Sequence, residues 1–184
     1  MTGLDANTAE SSTARHSSAP SGARTLLAFT VATWRLALPL RDVTRIVPLP
    51  LLQAPLGAPR FVEGFFDLQG TPVAVVRLDR LFRVEEERLG LYSPLIVLSV
   101  QDTPIALHVG RIDGILDDAD VRPLGHDETF NACVVGQISD RGETTYLLAR
   151  DELLLAEERA KVESHRAMRQ QRLDALEGHL AHAS

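Results

Sequence analysis

The sequence predicts an all-β protein built as two small, similar lobes, with one helix at its C-terminal end. Three observations lead there. Short runs rich in Val, Leu, Ile and Phe recur at hairpin spacing from Thr25 onward, each broken by a polar or glycine turn. Several runs, "PVAVV" and "LIVLSV" among them, are apolar at nearly every position, which suits strands buried on both faces, as in closed barrels pressed together. The third is internal repetition. "LALPLRDVTRIV" (36–47) aligns with "IALHVGRIDGIL" (105–116) at an offset of 69, placing Leu36, Leu38, Val43, Ile46 and Val47 opposite Ile105, Leu107, Ile112, Ile115 and Leu116. Val62, Gly64, Gly70, Val75, Val76, Asp79 and Leu81 then match Val134, Gly136, Gly142, Leu147, Leu148, Asp151 and Leu153 at an offset of 72.

Taken in order, residues 1–24 are Ser, Thr, Ala and Gly with almost nothing to bury, and are expected to form a disordered tail. "TLLAFTV" and "WRLALPL" flank a turn at Ala32-Thr33. "FVEGFFDL" and "PVAVVRL" flank Gln69-Gly70, where glycine supplies the positive φ of a tight turn. "PLIVLSV" and "PIALHVG" flank Gln101-Asp102-Thr103, and "VVGQIS" and "TTYLLA" flank Asp140 to Glu143. From Asp151 the texture turns helical: there is no proline and no glycine until Gly178, with Asp151 as the N-cap and acidic residues in the first turn. Leu155, Val162 and Leu176 recur at multiples of seven, but Arg169 interrupts a stripe too thin for a coiled coil. The expected organisation is a tail over 1–24, a domain over 25–155 with interleaved lobes, and a helical extension over 156–184.

Composition bounds what such a body can do. The chain has 184 residues, 45% of them apolar, and a net charge of −6, enough for a folded interior without metal or disulfide support. The lone Cys133, in "NACVVG", excludes an internal disulfide and reads as a small buried hydrophobe. Lys161 is the only lysine and no basic run occurs, which argues against nucleic acid as a partner. No stretch reaches the roughly 20 apolar residues that cross a bilayer, and the first residues lack a secretory signal pattern, so a cytoplasmic protein without direct membrane insertion is expected.

Catalytic chemistry has little to stand on. Neither G-x-G-x-x-G nor a G-K-[ST] phosphate loop is present, nor a G-x-S-x-G elbow. Of the histidines, only His179 and His182 are close in sequence, near the C-terminal end, while Asp117, Asp118 and Asp120 lack the spacing and closing Glu of a calcium loop. His108, between Leu107 and Val109, is placed on the open face of a sheet with a structural role. No enzyme activity, cofactor or metal is expected.

The residues that carry a resemblance are now in view. "LLAFTVATWRLALPLRDVTRIV", "PRFVEGFFDLQGTPVAVVRLDRLF", "PLIVLSVQDTPIALHVGRIDGIL" and "VVGQISDRGETTYLLARDELL" together resemble the CheW-like family, the bacterial adaptors that couple chemoreceptors to the histidine kinase CheA. The resemblance runs from about Thr25 to Leu155. It implies two intertwined five-stranded β-barrels, a short helical turn at "VTRIV" after the first hairpin, and a purely associative function. One surface would dock the regulatory domain of a CheA-type kinase and another the cytoplasmic tip of a methyl-accepting chemoreceptor, with the adaptor recruited to receptor arrays at the inner membrane.

Departures from the family pattern accompany the matches. Asp67, Leu68, Gln69 and Gly70 stand where the family usually has Asn, Leu, Arg and Gly; Arg45 stands for a Glu; Ala74 and Arg77 stand for the Pro and Asp of P-V-V-D-L. Of the swaps at Arg45, Gln69, Ala74 and Arg77, the three that change charge are expected on exposed edges, where charge sets partner choice. The residues expected to touch partners are Arg45, Ile46, Gln69, Gly70, Leu95 and Ile115, with Leu95 and Ile115 bordering a groove between the lobes. The alternative is a divergent module that binds a single or non-receptor partner, in a polar or pilus-associated system, with the C-terminal helix as its second contact. A ligand-binding barrel is a third, weaker reading.

Overall fold

Each of the eight apolar runs that flank the four turns becomes a strand. The computed structural model describes residues 25–54, 57–85, 88–90, 92–117, 119–125, 129, 132–140 and 142–182, so the tail expected over 1–24 lies outside the described residues. The strands are β1 (Leu26–Val31), β2 (Trp34–Pro39), β3 (Val43–Val47), β4 (Val62–Leu68), β5 (Thr71–Arg77), β6 (Leu95–Val100), β7 (Thr103–His108), β8 (Arg111–Leu116), β9 (Arg122–Pro123), β10 (Val134–Asp140) and β11 (Glu143–Leu148). Helix α1 (Leu78–Phe82) follows β5, and α2 (Ala156–His182) closes the chain.

The repeat is built into the topology. Shifting β1 and β2 by 69 residues gives β6 and β7 end for end, and shifting β4 by 72 gives β10. The two repeats then exchange their leading hairpins. Sheet order β8-β1-β2-β11-β10-β9 makes lobe A, and β3-β6-β7-β5-β4 makes lobe B. The β1–β2 hairpin is antiparallel to β8 and parallel to β11, and the β6–β7 hairpin stands in the same relation to β3 and β5. Lobe B is thus continuous in sequence, whereas lobe A is assembled from both sides of it.

Each lobe has a small core of its own, and the two cores correspond. Leu26, Ala37, Ile138 and Leu147 fill lobe A under Leu116 and Val121; their repeat mates Leu95, Ala106, Phe66 and Val75 fill lobe B under Val47 and Leu52. The opposite faces of the sheets meet in one larger core, where Phe29, Leu36, Phe65, Ile105, Leu107 and Leu148 pack together. Strands such as β6 are therefore buried on both sides, which is why their sequences run apolar without alternation.

Three expectations need correction. "VTRIV" is strand β3; the helical turn is the 3-10 turn Leu40–Asp42 before it. Thr44, Arg45 and Ile46 are all exposed because β3 is an edge strand, so it shows none of the alternation that marks a strand in sequence. Secondly, the sheets hold six and five strands, not five and five, and neither closes into a barrel. In lobe A the last strand, β9, is two residues long and includes Pro123, which has no N–H to extend a ladder. In lobe B the outer edge of β4 meets, among the described residues, the isolated bridge of Gln53, whose backbone exchanges two 2.9 Å hydrogen bonds with Phe65. Thirdly, the C-terminal helix does not open at Asp151. Arg150–Glu152 form a 3-10 turn, Leu153 and Leu154 are drawn into the core, and α2 begins at Ala156 with Glu158 accepting the Leu155 N–H at 2.9 Å. Its first turns dock through the fully buried Val162, while the side chain of Leu176 lies outside the described residues.

The β4–β5 hairpin turns on two left-handed residues, Gln69 at φ 56° and Gly70 at φ 84°, with the Asp67 carboxylate accepting the Gly70 N–H at 3.0 Å. Both φ values belong to the type I′ turn, whose first position favours Asn over Gln. Gln69→Asn is therefore expected to stabilise the fold by about 0.5 kcal/mol, read as a small rise in thermal midpoint. An unchanged or lower midpoint would show that the left-handed conformation carries no strain.

Candidate functional site

Function has to be sought on the edges and at the lobe ends. Ile46 on β3 and Ile115 on β8 are repeat mates, each on the edge strand of its own sheet, and they are 44% and 47% exposed. Arg45 is exposed beside Ile46 and marks that edge with a charge, a common way to keep an edge strand from pairing indiscriminately. Gln69 and Gly70 are exposed at the hairpin tip on the other flank of lobe B. Leu95 differs from the rest: it is 0% exposed and fills the core of lobe B, as its mate Leu26 fills lobe A. Leu95 supports β3 from beneath, through its pairing with Val47, and borders no open groove.

The position of Arg77 overturns an expectation, and that of its strand neighbour Ala74 goes with it. Both are buried, Ala74 in the shared core and Arg77 at 4% exposure. The Arg77 guanidinium grips the Asp79 carboxylate with two hydrogen bonds, Nε to Oδ1 at 2.9 Å and Nη2 to Oδ2, and its Nη1 lies 3.7 Å from Glu63. His108, expected on an open face, is 2% exposed and brings Nδ1 to 2.6 Å from the other Glu63 oxygen. Its Nε2 is buried with no hydrogen-bond partner. Parallel pairing of β5 with β7 sets Arg77 directly opposite His108, which is how residues so far apart in sequence share one cluster. The hydrogen bond from His108 holds the Glu63 carboxyl below its usual range, with Arg77 and Arg80 adding to the effect and burial opposing it.

Lobe A lacks this cluster. The repeat offsets put Pro39 in place of His108, Val135 in place of Glu63, Ala149 in place of Arg77 and Asp151 in place of Asp79. Small and apolar groups thus replace bulky charged ones, and the space they leave is an open groove of about 870 Å³. Its walls are Leu26, Pro39, Leu40, Val135, Leu147 and Ala149, with Arg41, Asp42, Arg150, Asp151 and Glu152 at the rim. Leu40 and Val135 are exposed there, and Arg150 is held across the rim by Asp42 at 3.5 Å and Asp151 at 3.1 Å. An apolar floor with a charged rim fits a docked protein side chain better than a reacting substrate.

Neither the groove nor the ion cluster was found from sequence, though the repeat alignment held the signal: it sets charged residues of one repeat opposite apolar residues of the other. Elsewhere the chemistry is quiet. Burial pushes the Cys133 thiol up to about 12, which removes it as a nucleophile near neutral pH. Among the described residues no three His, Cys, Asp or Glu side chains gather as metal ligands, and no helix is long and apolar enough to cross a membrane.

Two exchanged hairpins, two edge isoleucines and one open lobe end describe a binding body, and comparison with known proteins names it. The CheW-like domain family matches residues 25–159. The chain belongs to the CheW-like family. This is a family of non-catalytic scaffolds in chemotaxis signal transduction, acting through protein–protein contacts. Among solved structures the CheW-like chain is similar to the scaffolding protein TtCheW from Thermoanaerobacter tengcongensis, at 17% identity and a TM-score of 0.66, over 73% of this chain and 94% of that one. Among curated proteins none matches. The CheW-like match ends at residue 159, so most of α2 lies beyond it.

Proposed function

We infer that this chain couples the cytoplasmic tip of a chemoreceptor to the regulatory domain of a CheA-type histidine kinase, working from the cytoplasm at receptor arrays on the inner membrane. The observation that carries this reading is the groove at the end of lobe A, where Leu40 and Val135 stand exposed in the place that lobe B fills with its own ion cluster. The kinase domain docks there, and the receptor helix uses the β3 edge and the adjoining turn, with Arg45, Ile46, Gln69 and Gly70 in contact and Ile115 on the matching edge of lobe A. Leu95 holds β3 in place from within. An amphipathic helix on an apolar surface is a recurrent recognition mode.

Calorimetry with the kinase regulatory domain and a receptor tip fragment tests both contacts. Micromolar binding to each is expected, with Leu40→Glu/Val135→Glu weakening the kinase at least tenfold and Ile46→Glu weakening the receptor at least tenfold. Gln69→Arg, which keeps the turn but restores the family's charge, reports whether receptor choice depends on that tip. A second reading, a module for a single or non-receptor partner, is favoured by Arg45 and Gln69, which rewrite the family's charge pattern. Kinase binding without receptor binding would support it, and binding to neither would overturn both.

A further inference from the structure

Helix α2 builds a second concave surface that the adaptor reading does not use. Val162 anchors it in the shared core, and Glu163 fixes its rotation, accepting from Thr103 Oγ1 at 3.2 Å and from Arg166 at 3.0 Å. With the helix so placed, His165, Met168, Arg169 and Arg172 share one face at three- and four-residue spacing, and that face stands over Gln53, Ala54 and Phe65. Between them is a cavity of about 400 Å³.

Its charge runs against that of the whole molecule. The chain carries −6 with its histidines neutral, yet two arginines and a histidine line this cavity and no carboxylate does. The nearest acids on the helix are occupied elsewhere: Glu163 by Arg166 and Thr103, and Asp174 by Gln170 at 2.9 Å. Arg169 Nε is buried and makes no hydrogen bond. A guanidinium N–H removed from water without an acceptor is costly, and a carboxylate meets it better than any neutral group does. Ala54, Met168 and Phe65 add an apolar wall next to the charges.

We propose that this cavity is a docking site for an acidic segment of a partner protein, in which an Asp or Glu reaches Arg169 and Arg172 while a neighbouring aliphatic side chain packs on Met168 and Ala54. The helical wall lies beyond the CheW-like match, so the site is this chain's own addition and stands whether or not the lobe A groove binds a kinase.

The test is a titration of the isotope-labelled full chain with a blocked hexapeptide alternating glutamate and leucine, and with its glutamine–leucine analogue, followed through the Arg169 Nε–H and His165 ring resonances. Both resonances are expected to move with the acidic peptide, and the glutamine analogue is expected to bind at least tenfold more weakly. Arg169→Gln/Arg172→Gln is expected to weaken the acidic peptide at least tenfold while its thermal midpoint stays with the parent's, which separates lost recognition from lost folding. Equal affinity for the two peptides, or tight binding retained by the double variant, would overturn the proposal. So would stronger binding to duplex DNA or to phosphatidylglycerol vesicles, which would assign the basic face to phosphate.

Discussion

Arg77→Asp, which restores the residue of the family pattern, is expected to destabilise this fold by about 4 kcal/mol or more. The substitution removes the guanidinium that holds Asp79, itself 1% exposed, by two hydrogen bonds, and sets a third carboxylate beside Glu63. Breaking a buried pair by deleting one partner strands the other charge, and like charge added at the same place raises the penalty. Arg77→Met should cost less, since it takes the two Arg77 hydrogen bonds from Asp79 but adds no repulsion, and Arg77→Met/Asp79→Leu should recover part of the loss. Denaturant melts of the three variants check the order. If Arg77→Asp lay within about 1 kcal/mol of the parent, the cluster would be an accessory to the fold and not a support of it.

The same cluster sets a pH dependence whose sign is fixed. Because the Glu63 carboxyl is held below its ordinary 4.5, its contribution is fully present above that value and disappears as the pH falls through the lowered one. Glu63→Gln should therefore be less stable than the parent at neutral pH, with the gap closing below about pH 4.5. A constant gap across that range would mean that Glu63 acts through its shape alone.

The second large effect is expected at two glycines that neither repeat can exchange for alanine. A Cβ on Gly64 would stand 2.9 Å from Leu52 Cβ and 3.2 Å from the Gln53 carbonyl oxygen; one on Gly136 would stand 2.7 Å from Val121 Cγ1 and 3.1 Å from the Arg122 carbonyl oxygen. These four neighbours are themselves repeat mates, so the same crossing occurs twice: a segment laid over the strand edge at a register shift, close enough to exclude any side chain. Gly64→Ala and Gly136→Ala are each expected to cost about 2 kcal/mol, or about 4–8 °C in thermal midpoint, by lifting the crossing segment. Gly64→Ala should be the worse, because Leu52 Cβ is fixed to its backbone whereas Val121 can rotate its Cγ1 away. Midpoints unchanged in both would show that the crossings are loose.

How much of this was legible in the sequence depends on the distance over which each feature is decided. The hairpins at Ala32-Thr33 and Gln69-Gly70 are local, and their turn chemistry located them to the residue. The two-lobed repeat was legible because matched positions fill matched cores. Strand β3 was not, since an edge strand with three exposed residues in a row has no period to detect. The start of α2 was misplaced because Asp151 looks like a cap locally, whereas the burial of Leu153 and Leu154 delays the helix. Of the candidate contacts, Ile46 and Ile115 are exposed on edge strands, but Leu95 carries the same apolar label and is buried; a leucine's neighbours, not its identity, decide which face it occupies. The ion cluster joins Glu63 to His108 through strand pairing that no local pattern encodes.

The exchange of hairpins also fixes the order in which a ribosome can complete this molecule. Leu26–Pro39 emerge before every other strand, yet their partner strands β8 and β11 begin at Arg111 and Glu143. At about 5–20 residues per second, the opening hairpin waits on the order of ten seconds with Leu26, Leu27, Phe29, Leu36 and Leu38 unburied. Lobe B, uninterrupted from Val43 to His108, is finished in the meantime. The nascent chain thus carries a completed lobe and, N-terminal to it, an adhesive ribbon, and a chaperone that shields the ribbon would find its substrate between Leu26 and Pro39.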